Sequence, residues 1–199
     1  MKKYVFAITG ASGPIVGIRV LKEIAGSAEI HLVISVQSFS IISSETGIDL
    51  TGKSEAEIQR KTRKLFGSDR IYYYSETNFA APISSGSFKT DGMFVVPCSM
   101  KSLSGIANGY TNSLTERAAD VIIKEGRPLV VSPREIPFSA IHIENMLKLA
   151  RLGVKIVPPV MGFYHEPGNL NDMVDFVAGK IIDAMGIGHN IYKRWGRVI

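Results

Sequence analysis

The feature that most constrains the fold of this chain is a turn of small residues between an apolar strand and an apolar helix. Residues 4–8 form a β-type run, and residues 15–24 carry apolar side chains at helical spacing. The turn between them, Gly10 to Gly13, leaves the first amides of the helix open to a phosphate or another anion, although such a turn also serves simply to pack a helix closely on a sheet. Its glycines do not match the G-x-G-x-x-G spacing of dinucleotide-binding proteins, so a nicotinamide cofactor is not the first expectation.

Strand and helix signals alternate along the rest of the chain. Further β-type runs fall at residues 29–35, 71–74, 92–97, 129–132 and 154–157, and helical patterns at residues 37–46, 54–66, 103–108, 114–125, 139–152 and 171–185. This alternation is typical of the α/β class. We therefore predict a Rossmann-like three-layer sandwich, with a mostly parallel six-stranded sheet and helices on both faces. Residues 75–90 lack periodicity, and long irregular loops of this kind often carry function.

The composition narrows the class of protein. The 199 residues suit a single domain, 1–199, and the net charge of +5 comes from dispersed basic residues, so we expect no nucleic-acid partner.

The single cysteine, Cys98, excludes an internal disulfide and is expected to be a small buried residue. The four histidines are not paired at ligand spacing, so no metal site is expected. No apolar stretch approaches membrane-spanning length and no signal peptide is recognisable, so we expect a cytoplasmic protein with no membrane partner.

Ligands of parallel α/β sheets bind at the carboxyl ends of the strands. The predicted strand ends carry hydroxyls, open amides and two basic side chains, Lys101 and Arg134. Such groups favour an anion, because arginine makes bidentate contacts and lysine supplies a point charge. The residues alone thus predict a phosphorylated ligand, with the alternative that Arg134 and the adjacent Glu135 simply pair with each other.

A set of ordered motifs then resembles a known family. The motifs are Gly10-Ala11-Ser12-Gly13, Ser84-Ser85-Gly86-Ser87-Phe88, residues 97–106, Arg117-Ala118-Ala119-Asp120-Val121, Lys124-Glu125, residues 127–130, Pro133-Arg134-Glu135-Ile136-Pro137, and Pro158-Pro159 with Phe163-Tyr164-His165. Together, from about residue 3 to about residue 185, they resemble the flavin prenyltransferase family, also called UbiX or Pad1.

The resemblance implies an activity. Members bind reduced FMN and dimethylallyl phosphate and join the dimethylallyl group to the N5 and C6 atoms of the flavin. The product, prenylated FMN, is the cofactor of UbiD-type decarboxylases, and the step needs no metal. Two alternatives remain: an FMN-dependent decarboxylase of the related cysteine-decarboxylase type, whose Pro-Ala-x-Ala-Asn-Thr block is missing at residues 97–102, and an FMN-binding protein without catalysis.

The resemblance also assigns residues. The FMN site is expected at Gly10, Ala11, Ser12, Ser35, Ser99, Met100, Lys101, Ser102 and Arg134. The dimethylallyl phosphate site is expected at Ser84, Ser85, Ser87, Arg117, Lys124, Arg134, Glu135, Tyr164 and Lys180. The catalytic candidates are Ser12, Glu45, Lys124 and Glu135.

Roles for the catalytic candidates follow from their chemistry. Ser12 and Glu45 are candidates for proton transfer near the flavin N5 atom, although Glu45 also suits a helix surface. Glu135 is the candidate for handling a proton at the phosphate, and Lys124 for binding the leaving phosphate. The turns at residues 10–13 and 99–102 compete for the FMN phosphate, and Ser12 then faces the flavin ring if the second turn binds it. His165 is expected to be structural.

Family sites of this kind are shared between subunits. The resemblance implies a homododecamer in which a neighbour orders the loop of residues 79–88, and in which a C-terminal helix and tail, about 186–199, pack on neighbouring subunits.

The chain departs from the family pattern at three places. Many members have Leu-Thr where this chain has Thr115-Glu116, many have arginine at the position of Lys180, and some have tryptophan at the position of Phe79.

Overall fold

The sheet has the strand order that defines the Rossmann-like class. The structure, a computed structural model, describes residues 1–196. Its strands are β1 (Lys2–Ile8), β2 (Ala28–Ile34), β3 (Ile71–Ser75), β4 (Gly92–Cys98), β5 (Leu129–Pro133) and β6 (Lys155–Ile156). They form one six-stranded sheet in the order β3-β2-β1-β4-β5-β6, with every neighbouring pair parallel. The predicted sheet is confirmed, and its order reverses between β1 and β4.

Helices cover both faces of the sheet. They are α1 (Pro14–Ile24), α2 (Val36–Thr46), α3 (Glu55–Phe66), α4 (Met100–Ala107), α5 (Leu114–Lys124), α6 (Ala140–Arg151) and α7 (Leu170–Met185). Apolar residues of α1, α2, α3 and α7 form one core, and those of α4, α5 and α6 form the other. The predicted three-layer sandwich is therefore confirmed.

The central strands are apolar throughout because both of their faces are covered. Along β1, Phe6 and Ile8 join the first core, whereas Val5 and Ala7 join the second. A strand between two helical layers has no polar face, so it reads as an unbroken apolar run. This burial fixes the register of β1 and places its carboxyl end at the centre of the sheet edge.

The first helix lies unusually close to the sheet. A Cβ at Gly17 would lie 2.3 Å from the carbonyl oxygen of Val96, so any side chain there would push α1 away from β4. Gly13 precedes the helix with a φ of 88°, a conformation that side chains other than glycine rarely adopt. Close packing of α1 on the sheet thus depends on Gly17 inside the helix, whereas Gly13 of the opening turn serves the backbone conformation.

The C-terminal segment differs from the expectation. The last helix ends at Met185, with Gly186 in the left-handed conformation, and residues 187–196 form no helix. They fold back on α7 through hydrogen bonds to Asp183. Residues 197–199 lie outside the described part of the chain, and packing of this segment on neighbouring subunits stays a prediction. Among residues 1–196, none of the helices has both the length and the apolar character that crossing a membrane requires.

Candidate active site

A polar cavity of about 370 Å³ opens at the carboxyl edge of the sheet, where the strand order reverses. Its lining includes residues from the ends of β1, β2 and β4, which the sequence predicted: Gly10, Ser35, Ser99, Met100, Lys101, Ser102 and Glu135. It also includes residues that the sequence analysis did not place there: Thr9, Gln37, Glu76, Ser113, Thr115 and Glu116. The cavity is therefore a convergence of strand ends with helix N-termini.

Several of these helix N-termini already hold a carboxylate of the protein itself. Glu45 accepts from the amide of Gly13 at 2.8 Å, ahead of α1. Glu76 accepts from the amide of Val36, the first residue of α2, at 2.9 Å. Glu116 closes the start of α5 on itself through a capping box with Ser113. The partial positive charge at the N-termini of α1, α2 and α5 is thus balanced by carboxylates of the protein itself.

The N-terminus of α4 is different. Ser99 caps it by accepting from the amide of Ser102 at 3.2 Å, and the two hydroxyls lie 3.1 Å apart. No carboxylate within residues 1–196 bonds to this first turn, and Lys101 is exposed beside it. Of the two turns that compete for a phosphate, the geometry favours residues 99–102, because an anion there meets a helix N-terminus, hydroxyls and a cation.

Glu45 is exposed on α2, and its carboxylate reaches the opening turn. Its Oε2 atom is 2.8 Å from the Gly13 nitrogen, although the two residues are 32 positions apart. Ser12, directly before Gly13, is half-buried and its hydroxyl makes no hydrogen bond within residues 1–196. The structure therefore brings the two candidates for proton transfer at the flavin to the same turn.

Arg134 and Glu135 do not pair. Glu135 accepts from the amide of Ile136 at 3.0 Å, and the amide of Arg134 donates to the carbonyl of Cys98 at 3.1 Å, which ties the end of β5 to the end of β4. No ion pair joins the two side chains in the described chain, and both are exposed. They remain available to a ligand.

A second cavity adjoins the first and is apolar. It measures about 250 Å³ and is lined by Pro133, Arg134, Glu135, Ile136, Phe138, Pro158, Pro159 and Val160. Glu135 lines both cavities, so it stands where a polar compartment meets an apolar one. Such a junction suits a ligand with a polar ring system beside an apolar chain.

The serine loop, residues 79–88, is held by arginines of its own chain. Arg117 donates to the carbonyl of Ser84 at 3.0 Å and pairs with Asp120 at 2.9 Å. Arg127 donates to the carbonyls of Gly86 and Phe88 at 2.7 Å and 2.9 Å. Contacts within the chain thus hold this loop in place, and its ordering by a neighbouring subunit stays a prediction.

Of the predicted phosphate-binding residues on the serine loop, Ser85 and Ser87 are exposed, whereas the Ser84 hydroxyl donates to the carbonyl of Ala81 at 2.8 Å. The hydroxyls of Ser85 and Ser87 face the surface, and Lys124, next to the loop, pairs with Glu125 at 2.8 Å. Arg117, by contrast, is engaged in holding the loop. Phe79, at the start of the loop, is 46% exposed and makes no aromatic stack within residues 1–196.

Tyr164, in the loop after β6, packs on α7, the helix that carries Lys180; we call these two residues the Tyr164 group. The Tyr164 ring packs edge-on against Phe176 with centroids 5.6 Å apart, and exposed Lys180 follows Phe176 by one helical turn. His165 stacks on Phe176 at 4.8 Å, which agrees with a structural role. No hydrogen bond or ion pair of residues 1–196 joins this group to the serine loop or to the residues that line the polar cavity.

The departure at Thr115-Glu116 proves compatible with the fold. The Glu116 side chain is 3% exposed and accepts from the amides of Asn112 and Ser113, each at 2.9 Å. A Cβ at Gly105 would lie 2.9 Å from its carboxylate, so the glycine makes room for it. The Ser113-x-x-Glu116 pattern of a capping box was the signal in the sequence that would have found this carboxylate.

Thr115 carries a hydroxyl without a partner. The residue lines the polar cavity and is 2% exposed, yet its Oγ1 atom makes no hydrogen bond. Buried polar atoms are nearly always hydrogen-bonded, because leaving one unsatisfied costs about 1–3 kcal/mol. The orphaned hydroxyl indicates that the cavity takes a ligand with polar atoms.

Cys98 does not take part in this chemistry. It is fully buried, and burial raises the pKa of its thiol to about 12, so it carries no thiolate at neutral pH. Its predicted place as a small buried residue is confirmed. No group of three or more potential metal-ligating side chains occurs in the described residues.

Comparison with known proteins decides the family. The sequence profile of the Flavoprotein family matches residues 1–182. Flavin prenyltransferase UbiX of Methanocaldococcus jannaschii is 44% identical over 98% of this chain and 100% of its own length. The chain belongs to the UbiX flavin prenyltransferase family. This confirms the resemblance that the ordered motifs indicated.

Solved structures support the same family assignment. AnUbiX (PadA1), in complex with FMN and dimethylallyl pyrophosphate, is 39% identical and superposes with a TM-score of 0.88 over 100% of this chain and 99% of its own. A dodecameric FMN-dependent UbiX-like decarboxylase from Escherichia coli O157:H7 is 42% identical, with a TM-score of 0.87 over 97% of this chain and 98% of its own. The likeness to both UbiX-type structures extends over nearly the whole chain.

Proposed function

We propose that the protein is a flavin prenyltransferase. It joins the dimethylallyl group of dimethylallyl phosphate to N5 and C6 of reduced FMN, without a metal, and its product serves a UbiD-type decarboxylase. The observation that carries the proposal is the junction at Glu135, where a polar cavity with an open helix N-terminus adjoins an apolar cavity. Because the chain belongs to the UbiX family, we propose that this junction is the site for the flavin and the prenyl group.

The polar cavity fits FMN. The first turn of α4, with Ser99, Ser102 and Lys101, binds the phosphate, since no carboxylate of residues 1–196 bonds to it, unlike the N-termini of α1, α2 and α5. Ser35 and the unpartnered hydroxyl of Thr115 line the same space and supply hydrogen bonds to polar atoms of the ligand. When bound, the reduced flavin supplies the nucleophilic N5 and C6 atoms.

Ser12 and Glu45 move a proton near N5. The amide of Gly13 fixes the Glu45 carboxylate at 2.8 Å, so the acceptor is in place before any ligand binds. Ser12 directly precedes Gly13, and its hydroxyl makes no hydrogen bond within residues 1–196, so in this proposal it relays the proton that N5 gives up.

Cationic and hydroxyl side chains bind the leaving phosphate. Breaking the allylic C–O bond leaves both bonding electrons on the phosphate, and the charges of Lys124, Arg134 and Lys180 stabilise it there. The hydroxyls of Ser84, Ser85, Ser87 and Tyr164 add hydrogen bonds. Glu135 holds a proton at a phosphate oxygen, where the two cavities meet.

The complete site is shared between subunits of a homododecamer. Within residues 1–196 no hydrogen bond or ion pair joins the polar cavity, the serine loop and the Tyr164 group, which fits a site that a neighbour completes. The apolar residues around the second cavity are strongly exposed in a single chain, with Ile136 at 86% and Val160 at 69%, which favours a neighbouring copy that covers them. We also propose a cytoplasmic location, on the sequence composition alone.

The test is an anaerobic reaction of the purified protein with reduced FMN and dimethylallyl phosphate, followed by a mass spectrum of the released flavin. We expect the flavin mass to rise by one dimethylallyl group. Unchanged flavin, from protein that is folded and has FMN bound, would rule the proposal out. Glu135→Gln separates an enzyme from a silent binder, because it should abolish turnover and leave FMN bound.

A further inference from the structure

Asp183, near the end of α7, gathers side chains of the following segment around its carboxylate. Its Oδ2 atom accepts from the Tyr192 hydroxyl at 2.7 Å and from Nη1 of Arg194 at 2.9 Å, and its Oδ1 atom accepts from Nη2 of Arg194 at 2.7 Å. His189 Nε2 lies 3.1 Å from the same Oδ1 atom. These contacts, the Asp183 clasp, fold residues 187–196 back along α7.

The Asp183 clasp combines strong hydrogen bonds with close packing of the tail on α7. A guanidinium that meets both oxygens of a carboxylate forms a fork-to-fork pair, which is stronger and more directional than a single hydrogen bond. Desolvation acts to raise the pKa of Asp183, but the hydrogen bonds from Arg194 and Tyr192 outweigh it and lower this pKa to about 2. Gly179 admits the tail, because a Cβ there would lie 2.3 Å from the Tyr192 ring.

The clasped segment reaches Tyr164. Trp195 packs edge-on against the Tyr164 ring, with centroids 5.4 Å apart. Phe176 lies 5.6 Å from Tyr164 and 5.4 Å from Tyr192, so an aromatic cluster connects the clasp to the loop after β6. No hydrogen bond within residues 1–196 holds the Tyr164 side chain, and its position is therefore set by these ring contacts.

We propose that the Asp183 clasp is a positioning device for Tyr164. By fixing residues 187–196 on α7, it holds Trp195 against Tyr164 and thereby orients the Tyr164 hydroxyl toward the phosphate of the allylic substrate. The inference rests on the proposed function, since it takes Tyr164 as a phosphate-binding residue. Asp183 and Arg194 act through the aromatic cluster and do not touch the substrate.

A clasp that only protected the chain end from fraying would behave differently. Its loss would lower the free energy of unfolding and leave the affinity for the allylic phosphate unchanged. A clasp that orients Tyr164 changes that affinity while FMN binding, which uses the cavity at the other strand ends, stays the same. The two roles are therefore separated by measuring the two ligands independently.

The chain contains its own probe for this test, because Trp195 is its single tryptophan. Because Trp195 is 79% exposed, its mobility and not its emission wavelength reports on the contact. In full-length Asp183→Asn we expect the anisotropy of the tryptophan emission to fall, as the indole leaves the Tyr164 ring. The KM for dimethylallyl phosphate should rise about tenfold, the effect of losing one hydrogen bond to a charged group. The kcat and the Kd for FMN should remain within about twofold.

Two variants serve as controls. Asp175→Asn removes another half-buried carboxylate of α7, one that pairs with Arg19 of α1 and not with the tail. It should leave the emission anisotropy and the KM at wild-type values. Asp183→Glu keeps the charge and should restore part of the affinity that Asp183→Asn loses.

Each outcome of these measurements either supports or overturns the inference. An unchanged emission anisotropy in Asp183→Asn overturns the inference, and so does a lowered anisotropy with an unchanged KM. If the wild type makes no prenylated flavin, the proposed function fails, and binding of dimethylallyl phosphate, followed through Trp195 in both proteins, then decides the clasp. Weaker binding to the variant by about tenfold supports it, and equal binding overturns it.

Discussion

The carboxylate of Glu45 accepts a hydrogen bond from the amide of Gly13 at 2.8 Å, which joins the far end of α2 to the turn before α1. This contact places a carboxylate at the turn that contains Ser12. It also explains why the opening turn is a poor phosphate site, since a carboxylate of the protein already occupies it. We propose that the turn serves proton transfer and that the phosphate binds at α4.

Glu45→Gln tests the proton-transfer role. The amide oxygen of glutamine still accepts from Gly13, so the turn keeps its shape, but the side chain no longer takes up a proton. We expect FMN binding within about twofold of wild type and a loss of about 100-fold or more in the rate of prenylation, the usual range for a lost general base. Single-turnover kinetics with reduced FMN measure the rate. Equal rates in the two proteins would remove Glu45 from the mechanism.

Ser12→Ala is the companion variant at the same turn. Loss of the hydroxyl interrupts the relay between N5 and Glu45 without disturbing the backbone contact of Gly13. We expect a slower reaction of the same order as in Glu45→Gln, and no further loss when the two changes are combined, because both remove one relay. Fully additive losses would show that Ser12 and Glu45 act separately.

Ser99→Ala and Lys101→Ala test the phosphate site on α4. Each should weaken FMN binding by about tenfold, because a capping hydroxyl or a cation next to the phosphate is worth about 1–2 kcal/mol. Ser54→Ala is the matched control, since Ser54 caps α3 in the same way, by accepting from the amide of Glu57, far from the cavity. Fluorescence titration with FMN gives the Kd. Tight FMN binding to both α4 variants would move the phosphate elsewhere.

Thr115→Val should change two quantities in opposite directions. Without ligand the variant should unfold at a higher temperature, because valine removes a buried hydroxyl that lacks a partner. With FMN it should bind more weakly, by roughly fivefold to tenfold, since the hydroxyl then has a ligand atom to meet. Thermal unfolding with and without FMN measures both. A stabilised variant with unchanged FMN affinity would show that the hydroxyl meets no ligand.

The buried thiol of Cys98 should make the stability of the fold depend on pH in the alkaline range. Burial raises the pKa of its thiol to about 12, above the value of an exposed thiol, so the stabilising effect of keeping it neutral is complete at neutral pH. This effect is lost as the pH rises from about 9 toward 12. Native protein should resist alkylation at pH 8, and Cys98→Ala should lose less stability between pH 8 and pH 11. Fast alkylation of folded protein would contradict the buried position.

Much of the fold is predictable because the layers impose regular patterns. Strands covered on both faces, such as β1 and β4, must be apolar runs, and α1 and α7 must carry an apolar stripe. The start of α4 was predicted three positions late, at residue 103 instead of Met100, because its first turn consists of hydroxyls and a lysine that serve the cavity. The edge strand β6 is shorter than its apolar run, since it pairs on one side alone.

The candidate site was predictable in its strand-end residues and not in its long-range contacts. Ser99 and Lys101 follow a strand directly, so position along the chain was enough to find them. The contact of Glu45 with Gly13 depends on how α2 packs beside α1, which no local pattern reveals. Glu76 lies in the irregular segment after β3, and its use as a cap for α2 follows from tertiary packing in the same way.

The central claim is that this protein makes prenylated FMN, and the mass of the flavin after an anaerobic reaction tests it most directly. The protein is incubated with reduced FMN and dimethylallyl phosphate, and the released flavin is analysed for wild type and Glu135→Gln. The account predicts a flavin heavier by one dimethylallyl group from the wild type and unmodified FMN from the variant. Unmodified FMN from wild-type protein that is folded and flavin-bound would contradict it.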